Sequence, residues 1–218
     1  MVTIMLLLIL SLQAADSSAY VSGMNDSTGW VEVDRKVIDG MEIVVRHKEV
    51  LGTNCLEGAG IAAVSVNTLL KLATDIPNQP GWSSWDVPVS ERLGGTDSRF
   101  DYFQVLDNPS PVADRYWVLR AERALVDGVG TFRWHHIDPA GTPGLTERVA
   151  STWPDAVMTR INVGDWTFAA VTGGTSIRYR ICTDAGGAIP RWVGEFAART
   201  TLPTNLGDIV REAKKRGG

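Results

Sequence analysis

The sequence predicts an α+β fold: a curved, nine-stranded antiparallel sheet with helices gathered on one face and a long helix at the C-terminus. Three observations predict it. Strand-like alternation of apolar and polar residues recurs along the chain. Nearly all of these stretches are joined by short turns rich in Gly, Asp and Asn, and short turns make antiparallel neighbours. Helical spacing is confined to three places: near the start, between the second and third strands, and at the end. Helices segregated in this way from an antiparallel sheet are the α+β arrangement.

In chain order, "DSTGWVEVDRKV" reads as a short helix with Ser27 and Thr28 as N-cap candidates. "MEIVVRHKEV" (41–50) is a β-branched strand, and "CLEGAGIAAV" follows as the second. In "SVNTLLKLATDI", Leu69, Leu70 and Ala73 share one helix face and Ser65 is the candidate cap. Strand period returns from Val87 and leads to Gly94-Gly95, a hairpin signal, and then to "SRFDYFQVL". Turn chemistry at Asp107, Pro109 and Pro111 precedes "DRYWVLRAERAL", which turns at Asp127-Gly128 into "TFRWHHI". A Gly- and Pro-rich loop covers roughly 138–155. "AVMTRINV" and "WTFAAV", bent at Gly164-Asp165, and "TSIRYRICTD", after a tight turn at Gly173-Gly174, complete the sheet.

The last segment changes period. Gly186 and Gly187 turn the chain away from the sheet, and Pro190 suits a first helical turn, where a missing N–H costs nothing. Trp192, Val193, Phe196 and Ala197 form an apolar stripe, and Leu206, Ile209 and Val210 continue one beyond Pro203, which should kink or break the helix. A helix from Pro190 to Lys214 spans about 37 Å, enough to cross a sheet.

Composition excludes several function classes. The 218 residues carry a net charge of −4 with scattered basic residues, which argues against a nucleic-acid partner. His135 and His136 are neighbours on a strand and point to opposite faces, so they cannot share one site. His47 has no Cys or His at ligand spacing, and neither a metal nor a cofactor is expected. No nucleophile elbow or phosphate loop is present. Eight Trp suit a lined cavity or interface as well as they suit an ordinary core. The two cysteines, Cys55 and Cys182, form one disulfide if the chain is exported and the fold brings them together, which spacing alone does not decide. At the N-terminus, an apolar run from Ile4 to Leu12 is followed by Ser17 and Ala19 at the −3 and −1 positions of a signal-peptide cut. The expected organisation is a signal peptide over 1–19 and one domain over 20–218, with the product periplasmic or secreted. An uncleaved membrane anchor or a mis-assigned start is the alternative.

From about residue 27 to 216 the element order resembles the START family, the StAR-related lipid-transfer domains with the helix-grip fold. The local matches are "PSPVADRYWVLRAER", "TRINVGDWTFAAV" and "TSIRYRICTDAGGAIPRWVGEF". The resemblance implies a U-shaped sheet gripping the last helix around a tunnel for one lipid or sterol-like molecule, with no catalytic centre. It also implies that Asp101 and Arg120 sit where some members place an acid–Arg pair inside the tunnel. Strand parity leaves this open, because Trp117, Leu119 and Ala121 form the more apolar face of that strand. Phe103, Trp134, Trp166, Phe168, Trp192 and Phe196 are the candidate lining; on the plainer reading they are simply core. The loop over 138–155 is the candidate gate, with Trp153 packing on the lid helix or dipping into a membrane interface.

The function expected is therefore non-enzymatic binding, and transfer, of one lipid by a monomer in transient contact with membranes. The alternative is an aromatase/cyclase of the same fold superfamily, with Asp101, Arg120 or His136 as acid or base. A third is an interaction domain with a filled core.

Overall fold

The computed structural model describes residues 17–110, 112–187 and 197–217. The described residues open with helical residues 17–25 (α1), then β1 (Val31–Ile38), β2 (Met41–Val50), β3 (Thr53–Ala62) and α2 (Val66–Thr74). A 3-10 turn (Ile76–Gly81) leads to β4 (Val89–Gly95), β5 (Arg99–Leu106), β6 (Arg115–Val126) and β7 (Val129–His136). Then come α3 (Leu145–Thr152), the two-residue β8 (Val157–Met158), β9 (Ile161–Val171), β10 (Gly174–Asp184) and α4 (Leu202–Lys215). Nine strands form one continuous antiparallel path, β1-β2-β3-β10-β9-β7-β6-β5-β4, and β8 pairs in parallel with β6.

Tight turns set this order. Asp39-Gly40, Leu51-Gly52 and Asp127-Gly128 each place two successive residues at positive φ, the type I′ geometry that matches strand twist. Around α2, Ser65 accepts from the Thr68 N–H at 3.1 Å, as the sequence predicts, and Leu69, Leu70, Leu72 and Ala73 are buried.

Several expectations are corrected. The segment read as a first helix is β1: it pairs antiparallel with β2 from Val31↔His47 to Ile38↔Met41, with a bulge between Glu32 and Asp34, and Asp26 holds Thr28 in a turn that ends at Gly29 with φ +81°. The helix lies upstream, over 17–25, where Tyr20 and Met24 are buried. Gly94 and Gly95 belong to β4, after a register shift, and the chain reverses over 96–98. Gly164 and Asp165 do not break β9, which runs unbroken through both. The loop over 138–155 contains α3.

The terminal helix is described from 197 onward; Pro190, Trp192, Val193 and Phe196 lie outside the described residues. A π-helical turn (Ala197–Thr201) enters α4, and Pro203 stands in its first turn, where it does not break the helix. Pro203 has no N–H for the Arg199 carbonyl four residues earlier, and Lys36 Nζ of β1 donates to that oxygen instead.

Side-chain parity gives the sheet two unlike faces. The inner face is covered by α2 over β7 and β9 and by α4 over β1, β2 and β3. It carries Ile43, Tyr102, Leu119, Phe132, Trp134, Phe168 and Ile177 against Leu69, Leu70, Leu206 and Ile209. Gly58 lets α4 approach, since a Cβ there would lie 3.0 Å from the methyl groups of Leu202 and Leu206.

The outer face carries two smaller clusters. One joins Tyr20 and Met24 of α1 to Val50, Cys55, Val163 and Cys182; the other joins Leu145 and Val149 of α3 to Phe103, Val105 and Val118. Cys55 and Cys182 are direct partners in the β3–β10 register and form a disulfide. Across the same face runs a row of alternating charge, Arg99–Glu122–Arg133–Asp165–Arg180–Glu57–Arg46, each residue the register partner of the next. Opposite charges set directly across strands support the pairing.

Candidate functional site

The inner face between α2 and α4 is the place where aromatic side chains converge. Phe100 stacks on Phe132 at 6.1 Å between centroids, and Phe132 meets Trp134 at 5.6 Å. Trp134 stacks on Tyr179 at 5.8 Å, Tyr179 meets Trp166 at 4.3 Å, and Trp166 stacks on Phe168 at 5.7 Å. The belt crosses four strands because these positions share inner parity on β5, β7, β9 and β10. Gly164, the register partner of Trp134, leaves room for the indole: a Cβ at 164 would lie 2.3 Å from Trp134 Cζ2.

The belt is apolar but not featureless. Trp134 Nε1 donates to Asn162 Oδ1 at 2.9 Å, and His136 lies on the same inner side, beside Leu119. Burial pushes the Tyr179 phenol well up, with Asp165 adding to the effect. Burial, and then the proximity of Tyr179, does the same to Tyr102. Both phenols therefore stay neutral at any working pH. Neutral phenols together with indole, imidazole and amide groups around aromatic surface can hold an apolar body and orient one polar end of it.

A segment between the 3-10 turn and β4 crosses from one wall of this region to the other. On the β5 side, Gln104 Nε2 donates to Gln79 Oε1 at 2.6 Å and to Ser90 Oγ at 2.8 Å, while Trp117 Nε1 donates to Gln104 Oε1 at 2.9 Å. On the α4 side, Ser84 donates through its N–H and its Oγ to the two oxygens of Asp208, at 2.7 and 2.8 Å. Asp208 is 1% exposed and is also held by Arg211 at 2.8 Å. Between these anchors Trp82 packs against the inner core.

The predicted site residues divide by face. Trp134, Trp166 and Phe168 meet on the inner face. Asp101, Phe103 and Arg120 do not: they point outward. Asp101 and Arg120 form a two-pronged pair, 2.8 and 2.9 Å, that is partly open to solvent, with side chains 29% and 37% exposed. Donating hydrogen bonds to the Asp101 carboxylate raises the Arg120 pKa. Phe103 is sealed under α3 by Trp153 at 6.5 Å and by the Arg148 guanidinium at 5.1 Å. The physical reason is parity: Tyr102 and Leu119 face inward, so their sequence neighbours 101, 103, 118 and 120 cannot. Trp192 and Phe196 lie outside the described residues.

The candidate gate is likewise displaced, since α3 packs on the outer face and Trp153 rests on Phe103. Sequence reasoning missed Tyr102, Tyr179, Asn162 and the Gln79–Ser84 crossing. A signal existed for the last: "GWSSW" sets two Trp three residues apart in a stretch with neither strand nor helix period.

On the outer face, a cleft of about 240 Å³ lies between α1 and the sheet, lined by Val21, Met24, Asn25, Arg133, His135 and Asp165 among others. Arg180 closes its inner end, donating to the Met24 carbonyl at 2.6 Å, to Asn25 Oδ1 at 2.9 Å and to Asp165 at 3.0 Å. Among the described residues there is no cluster of three or more His, Cys, Asp or Glu able to hold a metal ion, and no helix long and apolar enough to cross a membrane.

No family model and no curated protein matches the sequence. Solved structures do match the fold. The STAR-related lipid transfer protein from Xanthomonas axonopodis is 23% identical, with 85% of this chain and 99% of that one covered and a TM-score of 0.69. Human StAR-related lipid transfer protein 5 is 15% identical over 95% of this chain and 99% of its own, at a TM-score of 0.74. The Zhui aromatase/cyclase from a Streptomyces is 12% identical, covering 74% and 94%, at 0.51. These matches show the fold: the chain has the START-like helix-grip fold.

Proposed function

We propose that this chain binds one lipid or sterol-like molecule between the inner face of its sheet and the helices gripping it, without chemical transformation, and carries it between membranes as a monomer. The observation that carries this reading is the aromatic belt on the inner face of a helix-grip fold similar, over 95% of the chain, to a lipid transfer protein. Binding draws on apolar burial, about 25 cal/mol per Å² removed from water. Release requires movement of an element rather than a reaction.

Export is part of the proposal. The apolar run from Ile4 to Leu12 and the disulfide between Cys55 and Cys182 both suit an oxidising compartment. Native mass spectrometry of the purified full chain tests the binding reading. One copy of a lipid-sized adduct, lost on organic extraction and regained on exposure to a lipid extract, is the expected result. A chain that stays at its apo mass throughout would overturn it.

A cyclase-type activity is the second reading, favoured by His136 on the inner face. With Asp101 and Arg120 outside, it is the one of the three candidate acid–base groups that remains inside. Consumption of an aromatic polyketide mimic that stops in His136→Ala would establish it.

A further inference from the structure

The segment joining Gln79 to Ser84 holds a buried donor with no partner. Trp82 Nε1 has less than 1 Å² of exposed surface and no hydrogen-bond partner. Its ring packs against the inner core, beside the belt of aromatic side chains. Burying an indole N–H without an acceptor costs about 1–3 kcal/mol, and such groups normally find one. The segment is not free to turn the ring away to water, because it is tied at Gln79 to Gln104 and at Ser84 to the buried Asp208. A second buried polar atom without a partner, Thr159 Oγ1, lies at the same end of the sheet. Its residue, 3% exposed, donates its backbone N–H to the Tyr116 carbonyl, one residue from the Trp117 indole that bonds Gln104. The polar groups that anchor the segment are engaged elsewhere, Gln104 with Gln79, Ser90 and Trp117, and Ser90 with the Ile76 carbonyl, and among the described residues the Trp82 donor is left without an acceptor.

From this we infer that the Trp82 indole N–H is the polar recognition point of the interior: it donates to an acceptor oxygen, a hydroxyl or carbonyl, at the polar end of an otherwise apolar ligand. The inference rests on the binding reading above and adds the class of ligand. A neutral oxygen suits the place, since the indole donor is itself uncharged.

The test uses the ¹⁵N-labelled full chain and two probes of equal length, 1-dodecanol and dodecane, delivered from the same cyclodextrin carrier. The Trp82 indole resonance is identified by its loss in Trp82→Phe, or by sequential assignment of the unsubstituted chain if that variant does not fold. Dodecanol should move this resonance downfield, and dodecane should not. Trp82→Phe should weaken dodecanol binding about tenfold and leave dodecane within about twofold, the loss expected for one hydrogen bond. A Trp82 resonance unmoved by bound dodecanol overturns the inference, as does equal weakening of both probes, which would make Trp82 a packing residue alone. If the inner-face Trp134 and Trp166 resonances respond to neither probe, the binding reading itself fails and takes this inference with it. If they respond to both while Trp82 does not, only the recognition role fails.

Discussion

Gly164 shows how one residue sets the inner surface. A Cβ there would fall 2.3 Å from Trp134 Cζ2 and 2.5 Å from the Arg180 carbonyl, and the carbonyl is held in the ladder. Gly164→Ala should therefore cost about 1–3 kcal/mol through overpacking. Gly141→Ala, with nothing within 4 Å of the added methyl, should be close to neutral; urea midpoints of the two variants give the comparison. His135, on the outer face, reports a second single-residue effect. Burial, and next the Arg120 guanidinium, hold its imidazole below the ordinary 6.5. The fold thus favours the neutral ring. That contribution is complete above pH 6.5 and is lost as pH falls toward the lowered value. Urea stability should drop between pH 7.5 and 5.5, and His135→Gln should remove part of that drop. At this scale the sequence was only half legible. Alternation placed His135 and His136 on opposite faces, which the structure bears out. It could not choose between the resemblance that put Arg120 inside and the parity that put it outside, because a strand pattern names two faces without saying which one is covered.

Among the elements, α1 depends on a contact far away in sequence. Its last turn ends on Arg180, which donates to the Met24 carbonyl and to Asn25 while its own charge is met by Asp165; both charged side chains are under 10% exposed. Lys48 adds a second cap, on the Gly23 and Asp26 carbonyls. Arg180→Met should leave the buried Asp165 with only the more distant Arg178, at 3.7 Å, to meet its charge, at a cost of about 3 kcal/mol, and should release α1. Hydrogen exchange would find amides 17–25 unprotected in the variant while those of β5 and β6 stay protected. Loss of protection everywhere at once would mean that α1 is inseparable from the sheet. No hint of α1 is legible in the sequence, because its residues also read as the end of a leader. It likewise misassigned β1, where Ser27 and Thr28 resemble caps; in the fold, Asp26 takes both donors of Thr28 and the chain turns instead of starting a helix.

For the molecule as a whole, the disulfide links two strands that are 127 residues apart in sequence and adjacent in the sheet. It joins β3, from the first hairpins, to β10, the last strand, and so ties the three N-terminal strands to the other six of the path. Replacing both cysteines by Ala should lower stability by about 2–5 kcal/mol, chiefly by freeing the unfolded chain. Urea unfolding of the double variant beside the oxidised chain measures it. Reduction of the unsubstituted chain should be slow until it unfolds, because both sulfurs are fully buried beneath Tyr20 and Met24 of α1.

By itself the sequence determined the class of fold, the antiparallel order of most strands, the α2 cap and the apolar stripe of α4. These follow from local rules: period, turn chemistry and capping act over a few residues and are written in those residues. Packing across the whole fold settles which face is inner, that Cys55 meets Cys182, that α3 sits outside, and that Gln79 to Ser84 crosses from β5 to α4 with Trp82 between. Each of these depends on the register between strands distant in the chain, and on which helix reaches which face. Such choices are made by the packing of the whole, and no short window of sequence contains them.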